Sequence, residues 1–276
     1  MFKVNLHLLE GCNFHCRTCF AHFDSRRTLN VEEWKHIIDN LYNSGKVNAI
    51  NFAGGEPMLY VYLGELIKYA YGLNMKVSII TNGSLMTNKW LSKYAQYIDM
   101  IGFSIDSFDK NNSIKMGRCS CKNQVFGKAE FLNIYPELLK HNIKIKINTV
   151  VNKLNYQEQF SKQLEGLKID RWKVLKMKTF DNGKFNNHDL EISMEEFNNF
   201  VKANPYDNRI VEDNMVNSYF VVDANGNLLD NSPNSYGSVG NLLEEDFNSV
   251  FDRFNFDEDL YNSRYVEMKI DKQKVA

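Results

Sequence analysis

Three cysteines, Cys12, Cys16 and Cys19, form a C-x3-C-x2-C array that closes within eight residues, directly after an alternating stretch near the start of the chain. Thiolates are soft ligands, suited to iron–sulfur clusters or to zinc. A four-iron cluster normally takes four cysteines, and no fourth stands nearby. Three thiolates would leave one iron open, as catalytic metal sites in general keep a free position. The competing reading is a zinc knuckle whose fourth ligand is His15 or His22. The remaining cysteines, Cys119 and Cys121, read as two reduced loop thiols, because two ligands are few for a metal site.

Two further groups of residues have types suited to ligand binding. Gly54, Gly55, Glu56 and Pro57 follow an apolar strand. Glycines there let a ligand approach the backbone closely, although the same residues also make an ordinary strand-to-helix turn with proline in its first turn. Lys146 and Asn148, and likewise Arg171 and Lys173, are two residues apart on predicted strands, so each pair shares a face. If the two strands are neighbours, three cations and an amide converge. Arginine forks onto phosphate oxygens and lysine adds a point charge. The bland alternative is solvated charge on a strand rim.

These residues need elements to position them. Period-two alternation predicts strands over 3–9, 48–52, 76–81, 100–104, 144–150 and 171–177. Helical spacing of Trp34, Ile37, Ile38 and Leu41 follows a capping box opened by Asn30. Further helices are predicted over 59–71, 89–98, 124–141 (with Pro136 kinking or interrupting it) and from Asn155 to Leu167. Strands alternating with helices imply a parallel sheet, here an α/β fold built as a partial (βα)6 TIM-type barrel. In that architecture function gathers at the C-terminal strand ends, and every motif above is expected there. Residues 1–180 would form the barrel. Residues 181–276 would form a C-terminal α+β extension covering it within the same structural unit, with a helix capped by Ser193 and a hairpin around Ala224-Asn225-Gly226.

Composition narrows the class. At 276 residues and 43% hydrophobic the chain can bury an ample core, and a formal charge of −1 gives no argument for a nucleic-acid or membrane partner. No stretch approaches a membrane span, and five cysteines without a secretory signal argue against a disulfide framework. A cytoplasmic location is expected.

The cysteine array, flanked by Phe14 and Phe20 and followed by Gly54-Gly55-Glu56-Pro57, resembles the signature of the radical S-adenosylmethionine (SAM) enzymes. Thr81-Asn82-Gly83-Ser84, Ser104-Ile105-Asp106-Ser107, Lys146-Ile147-Asn148-Thr149 and Arg171-Trp172-Lys173-Val174 come in the order found in viperin and its prokaryotic relatives. Asn217-Ser218-Tyr219-Phe220 resembles a C-terminal element of the same family. The resemblance implies a [4Fe-4S] cluster on Cys12, Cys16 and Cys19. SAM would lie against Gly54, Gly55, Glu56, Pro57, Asn82 and Ser104, and a ribonucleoside triphosphate would be held by Lys146, Asn148, Arg171 and Lys173. The implied reaction is dehydration to the 3′-deoxy-3′,4′-didehydro nucleotide, a chain terminator for viral polymerases. Tyr219 would relay the final hydrogen, and a flavodoxin- or ferredoxin-like protein would donate electrons. Where the family carries a basic residue just before the second-strand motif, this chain has Ala49-Ile50, and Lys46 in the preceding loop is the candidate substitute. The amphipathic membrane helix of animal viperin has no counterpart before Cys12, which implies the soluble branch. Other readings are a radical SAM enzyme acting on a different phosphorylated or peptide substrate, and a metal-stabilised interaction module without catalysis.

Overall fold

The computed structural model describes residues 1–21, 25, 27–181, 186–212, 216–232 and 235–263. Each predicted strand is present: β1 (Phe2–His7), β2 (Val47–Ala53), β3 (Lys76–Thr81), β4 (Met100–Ser104), β5 (Lys144–Val151) and β6 (Arg171–Lys176). They lie side by side in chain order and pair in parallel. Helices α1 (Val31–Asn43), α2 (Leu63–Gly72), α3 (Asn88–Tyr94), α4 (Lys110–Lys115), α5 (Lys128–Lys140) and α6 (Phe160–Leu164) fall between them. Asn30 caps α1 through a complete capping box with Glu33, and Trp34, Ile37, Ile38 and Leu41 are fully buried. Each such side chain stabilises the fold by about 1.5–3 kcal/mol.

Three expectations need correction. Alternation does not stop after β6, because β7 (Arg209–Glu212) adds a further parallel strand beside it. Pro136 does not interrupt α5; the carbonyl its missing N–H would serve belongs to Leu132, whose side chain is exposed. Asn155 opens no helix, and α6 is only five residues long. Asn155 is buried instead, donating to the carbonyls of Asp106 (2.7 Å) and Val150 (3.0 Å).

At the other edge β8 (Phe220–Val222) runs parallel to β1, followed by the antiparallel strands β9 (Asn227–Ser232) and β10 (Ser235–Asn241). The hairpin at Ala224-Asn225-Gly226 is thus present and extended by one strand. Helices α7 (Met194–Ala203) and α8 (Phe247–Phe251) complete the C-terminal part. Among the described residues no helix is long and apolar enough to cross a membrane.

Parallel sheets covered by helices are usually apolar on both faces. Here the strands alternate. Val4 and Leu6 on β1, and Ile145, Ile147 and Val151 on β5, are fully buried, while Lys3, Asn5, His7, Lys146 and Asn148 line an internal cavity of about 270 Å³. The lumen is therefore a lined chamber rather than a packed core. Tyr261 lines the same cavity, and on the outward face of β1 an aromatic cluster backs it: Phe2 lies 5.2 Å from Phe220, 5.2 Å from Phe256 and 5.5 Å from Tyr261.

Candidate active site

The thiol loop leaves β1 and is held by backbone bonds to two other segments. Gly55 N–H donates to Leu9 (2.7 Å) and Glu56 N–H to Gly11 (3.0 Å), while His15 and Arg17 N–H donate to Gly117 (3.0 Å) and Met116 (2.9 Å). These approaches explain two glycines. A Cβ on Gly55 would stand 2.2 Å from the Gly11 carbonyl oxygen, and one on Gly117, whose φ is +71°, 2.2 Å from that of His15.

Cys12, Cys16 and Cys19 all reach the cavity wall, whereas Cys119 and Cys121 do not line it. Burial pushes the Cys16 thiol up to about 12 and raises those of Cys12 and Cys19. As thiolates they therefore call for nearby positive charge, which a metal group supplies. Among the described residues no three His, Cys, Asp or Glu side chains converge on a single ion. A zinc knuckle needs such convergence of four donors; a cluster that takes each sulfur on a different iron does not. His15 is exposed, and His22 lies outside the described residues. Three soft donors on one wall fit an open-iron cluster.

Behind the thiols, Glu56 is fully buried and joins two loops. It accepts from Thr81 Oγ1 (2.6 Å), Asn82 N–H (2.7 Å) and Met58 N–H (3.1 Å), and burial raises its carboxyl above the usual range. Gly54, Gly55, Asn82 and Ser104 line the cavity, but Glu56 and Pro57 stand behind its wall. Asn82 donates to Asn13 Oδ1 (2.9 Å) and lies 3.8 Å from Cys12 Sγ. Buried Asp106 grips Arg118 at Nε (2.6 Å) and Nη2 (2.5 Å), and accepts from Val150 N–H (2.8 Å). Burial alone would lower the Arg118 pKa; Asp106 and the neighbouring thiols outweigh it and raise it.

Lys146, Asn148, Arg171 and Lys173 all line the same cavity, on paired strands where Lys146 faces Arg171 and Asn148 faces Lys173. Their depth differs from expectation. Lys146 and Arg171 stand near the starts of β5 and β6, toward the floor of the lumen rather than at the C-terminal strand ends. Inward parity carries them there, since the polar positions of a strand line the chamber along its whole length. Burial drives Lys146 well below the usual lysine range, helped by Lys173, Arg171 and Lys3. Among the described residues Asn148 Oδ1 is buried with no hydrogen-bond partner. Lys173 is 2.7 Å from Glu212 Oε2 and donates to Tyr219 Oη, whose hydroxyl in turn bonds Glu212 (2.7 Å). Lys46 does not line the cavity; its ammonium sits 4.5 Å from the Phe251 ring centroid.

Sequence reasoning singled out neither Glu212 nor Lys3 and Asn5, all of which line the cavity. The inward parity of β1 was a signal for the latter two. Glu212 had none, because β7 was not foreseen.

Sheet, thiol loop and polar lumen together define a radical SAM enzyme. The radical SAM superfamily model matches residues 6–160. Over 271 residues the chain is 44% identical to an S-adenosylmethionine-dependent nucleotide dehydratase of Selenomonas ruminantium, covering 96% of this chain and 98% of the relative. It is 30% identical to the dehydratase RSAD2 of Oncorhynchus mykiss, over 83% of this chain and 69% of that one. Among solved structures, Streptococcus suis SuiB bound to S-adenosylmethionine superposes with TM-score 0.69 at 18% identity, covering 95% of this chain and 67% of that one. Native anSMEcpe with bound AdoMet and a peptide gives 0.68 at 16%, covering 90% and 80%; at such identities the likeness concerns the fold. The chain belongs to the radical SAM superfamily and, within it, to the family of SAM-dependent nucleotide dehydratases. Its cofactors are a [4Fe-4S] cluster and SAM, and it requires a reductant.

Proposed function

We propose that this enzyme removes water from a ribonucleoside triphosphate to give the 3′-deoxy-3′,4′-didehydro analogue, an antiviral chain terminator. The observation that carries the reading is one continuous chamber with three thiols on its wall and a set of cations toward its floor. When bound, the cluster and SAM supply a radical able to take one hydrogen from the substrate. Cys12, Cys16 and Cys19 hold the cluster, and the backbone of Gly54 and Gly55 with Asn82 and Ser104 shapes the SAM side. Lys146, Asn148 and Arg171 take the phosphates, with Lys173 beside them, so that a fixed polyphosphate orients the sugar toward the thiols. Tyr219 returns the final hydrogen; Glu212 accepts its O–H and Lys173 donates to the same oxygen, which fixes the direction of the phenol.

We read residues 1–180 as the barrel and 181–276 as an extension of the same unit. The electron donor in this reading is flavodoxin- or ferredoxin-like, the location cytoplasmic, and neither nucleic acid nor membrane is a partner. The near-neutral charge supports this. The test is anaerobic incubation with SAM, reductant and each of the four ribonucleoside triphosphates. Mass spectrometry should find one triphosphate less one water, in step with methionine and 5′-deoxyadenosine. SAM cleavage that no triphosphate stimulates, with all four returned unaltered, would sink the proposal.

A further inference from the structure

Lys3 enters the chamber from the first turn of β1 and has no counterpart in the clamp expected from the sequence. Its backbone N–H donates to Tyr261 Oη (2.8 Å), another residue of the cavity lining, which fixes the strand at that point. Among the described residues its ammonium reaches one hydrogen-bond partner, Ser78 Oγ at 3.3 Å. Ser78 donates in turn to Asn51 Oδ1 (2.9 Å), and Asn51 to Asn5 Oδ1 (2.9 Å), so the serine lone pairs are directed at Lys3. Among the described residues neither Lys3 nor Lys146 forms an ion pair. By contrast Lys173, in the same lining, is matched by Glu212 at 2.7 Å.

Buried charges are normally paired or coordinate a charged ligand. Burial, then Arg171, lower the Lys3 pKa to about 8; Asp99 opposes them, and Lys76 and Lys144 add to the fall. A structural lysine would be expected to meet its carboxylate. This one meets a hydroxyl, in a cluster with Arg171 and Lys146 on facing strands. The neighbouring position on β2, in register with Lys3, is Ala49, which brings no charge of its own.

We infer that Lys3 is a phosphate ligand, closing the clamp from the wall opposite Lys146 and Arg171 and gripping the end of the polyphosphate farthest from the thiols. The inference rests on the nucleotide reading above and adds a residue and an orientation to it.

Calorimetric titration of the cluster-loaded protein with ribonucleoside triphosphates, their monophosphates and inorganic triphosphate tests it. Lys3→Met, and Lys3→Gln, which keeps a donor for Ser78 but no charge, should each weaken triphosphate binding roughly tenfold or more, the scale of one charge-assisted hydrogen bond. The loss should be alike for every base that binds, present with inorganic triphosphate and much smaller with monophosphates. Adding Ala49→Lys to Lys3→Met returns the charge from the adjacent strand and should restore affinity. If Lys146→Ala weakens binding while both Lys3 variants bind as the wild type does, the assignment of Lys3 fails and the nucleotide reading stands. If the wild-type protein binds no triphosphate, both fail.

Discussion

Replacing Asp106 by asparagine tests how the thiol wall is held. Asp106 is about 1% exposed and its partner Arg118 11%, so the substitution leaves a guanidinium buried beside three thiols with its carboxylate gone. Breaking a buried pair from one side costs about 3–5 kcal/mol, mostly because the remaining charge is uncompensated. A chain of 276 residues unfolds with an entropy of roughly 0.6 kcal/mol/K, so the melting temperature should fall by about 5–9 °C. Removing both charges, in Asp106→Asn/Arg118→Met, should cost less than Asp106→Asn alone. Thermal melts of the two single variants and the double, followed by circular dichroism under anaerobic conditions, close the cycle. A shift below about 2 °C for Asp106→Asn, or a double variant as destabilised as the two singles added together, would refute the view that this pair is held by charge compensation.

Alanine at Cys12, Cys16 or Cys19 should abolish 5′-deoxyadenosine formation after dithionite reduction, whereas alanine at Cys119 or Cys121 should not; loss of iron from Cys119→Ala would break the three-ligand assignment. Lys146→Ala and Arg171→Ala should each weaken triphosphate binding by ~1.5–3 kcal/mol, roughly tenfold or more, as read by calorimetry. Lys3 gives two pH effects of opposite sign. Its pKa is about 8 in the folded chain against 10.5 ordinarily, so between those values the unfolded chain holds the extra proton and this contribution to stability rises with pH. Phosphate binding needs the ammonium, so affinity should fall as pH climbs through about 8; a Lys3→Met variant melted and titrated across pH 7–10 should lose both trends' Lys3 component.

Much of the site was legible because strand parity is a local rule. Lys146 and Asn148 had to share a face, as did Arg171 and Lys173, and the pairing of β5 with β6 brings them together. Depth was not legible: parity says which way a side chain points, not how far down the lumen it lies, so the cations expected on a rim stand near the floor. Glu56 shows a second limit. Its position after two glycines suggested a ligand contact, and nothing local signals that its oxygens also accept from Thr81 and Asn82, far away in the chain, besides Met58 two residues on. β7 is only four residues long with a mixed burial pattern, too short for periodicity to announce, and Glu212 was hidden with it.

The aromatic cluster around Phe2 ties the wall of the chamber to the order in which the chain is made. Phe2 belongs to the first strand, yet the rings it needs, Phe220, Phe251, Phe256 and Tyr261, come from the last part of the described chain. A nascent polypeptide that has already produced every thiol and cation named in the lumen still lacks Tyr261, a lining residue of the chamber and the acceptor of the Lys3 N–H. The wall around Lys3 is thus completed by the last described segment of the chain, with Tyr261 bonded to the third residue and packed on the ring of the second.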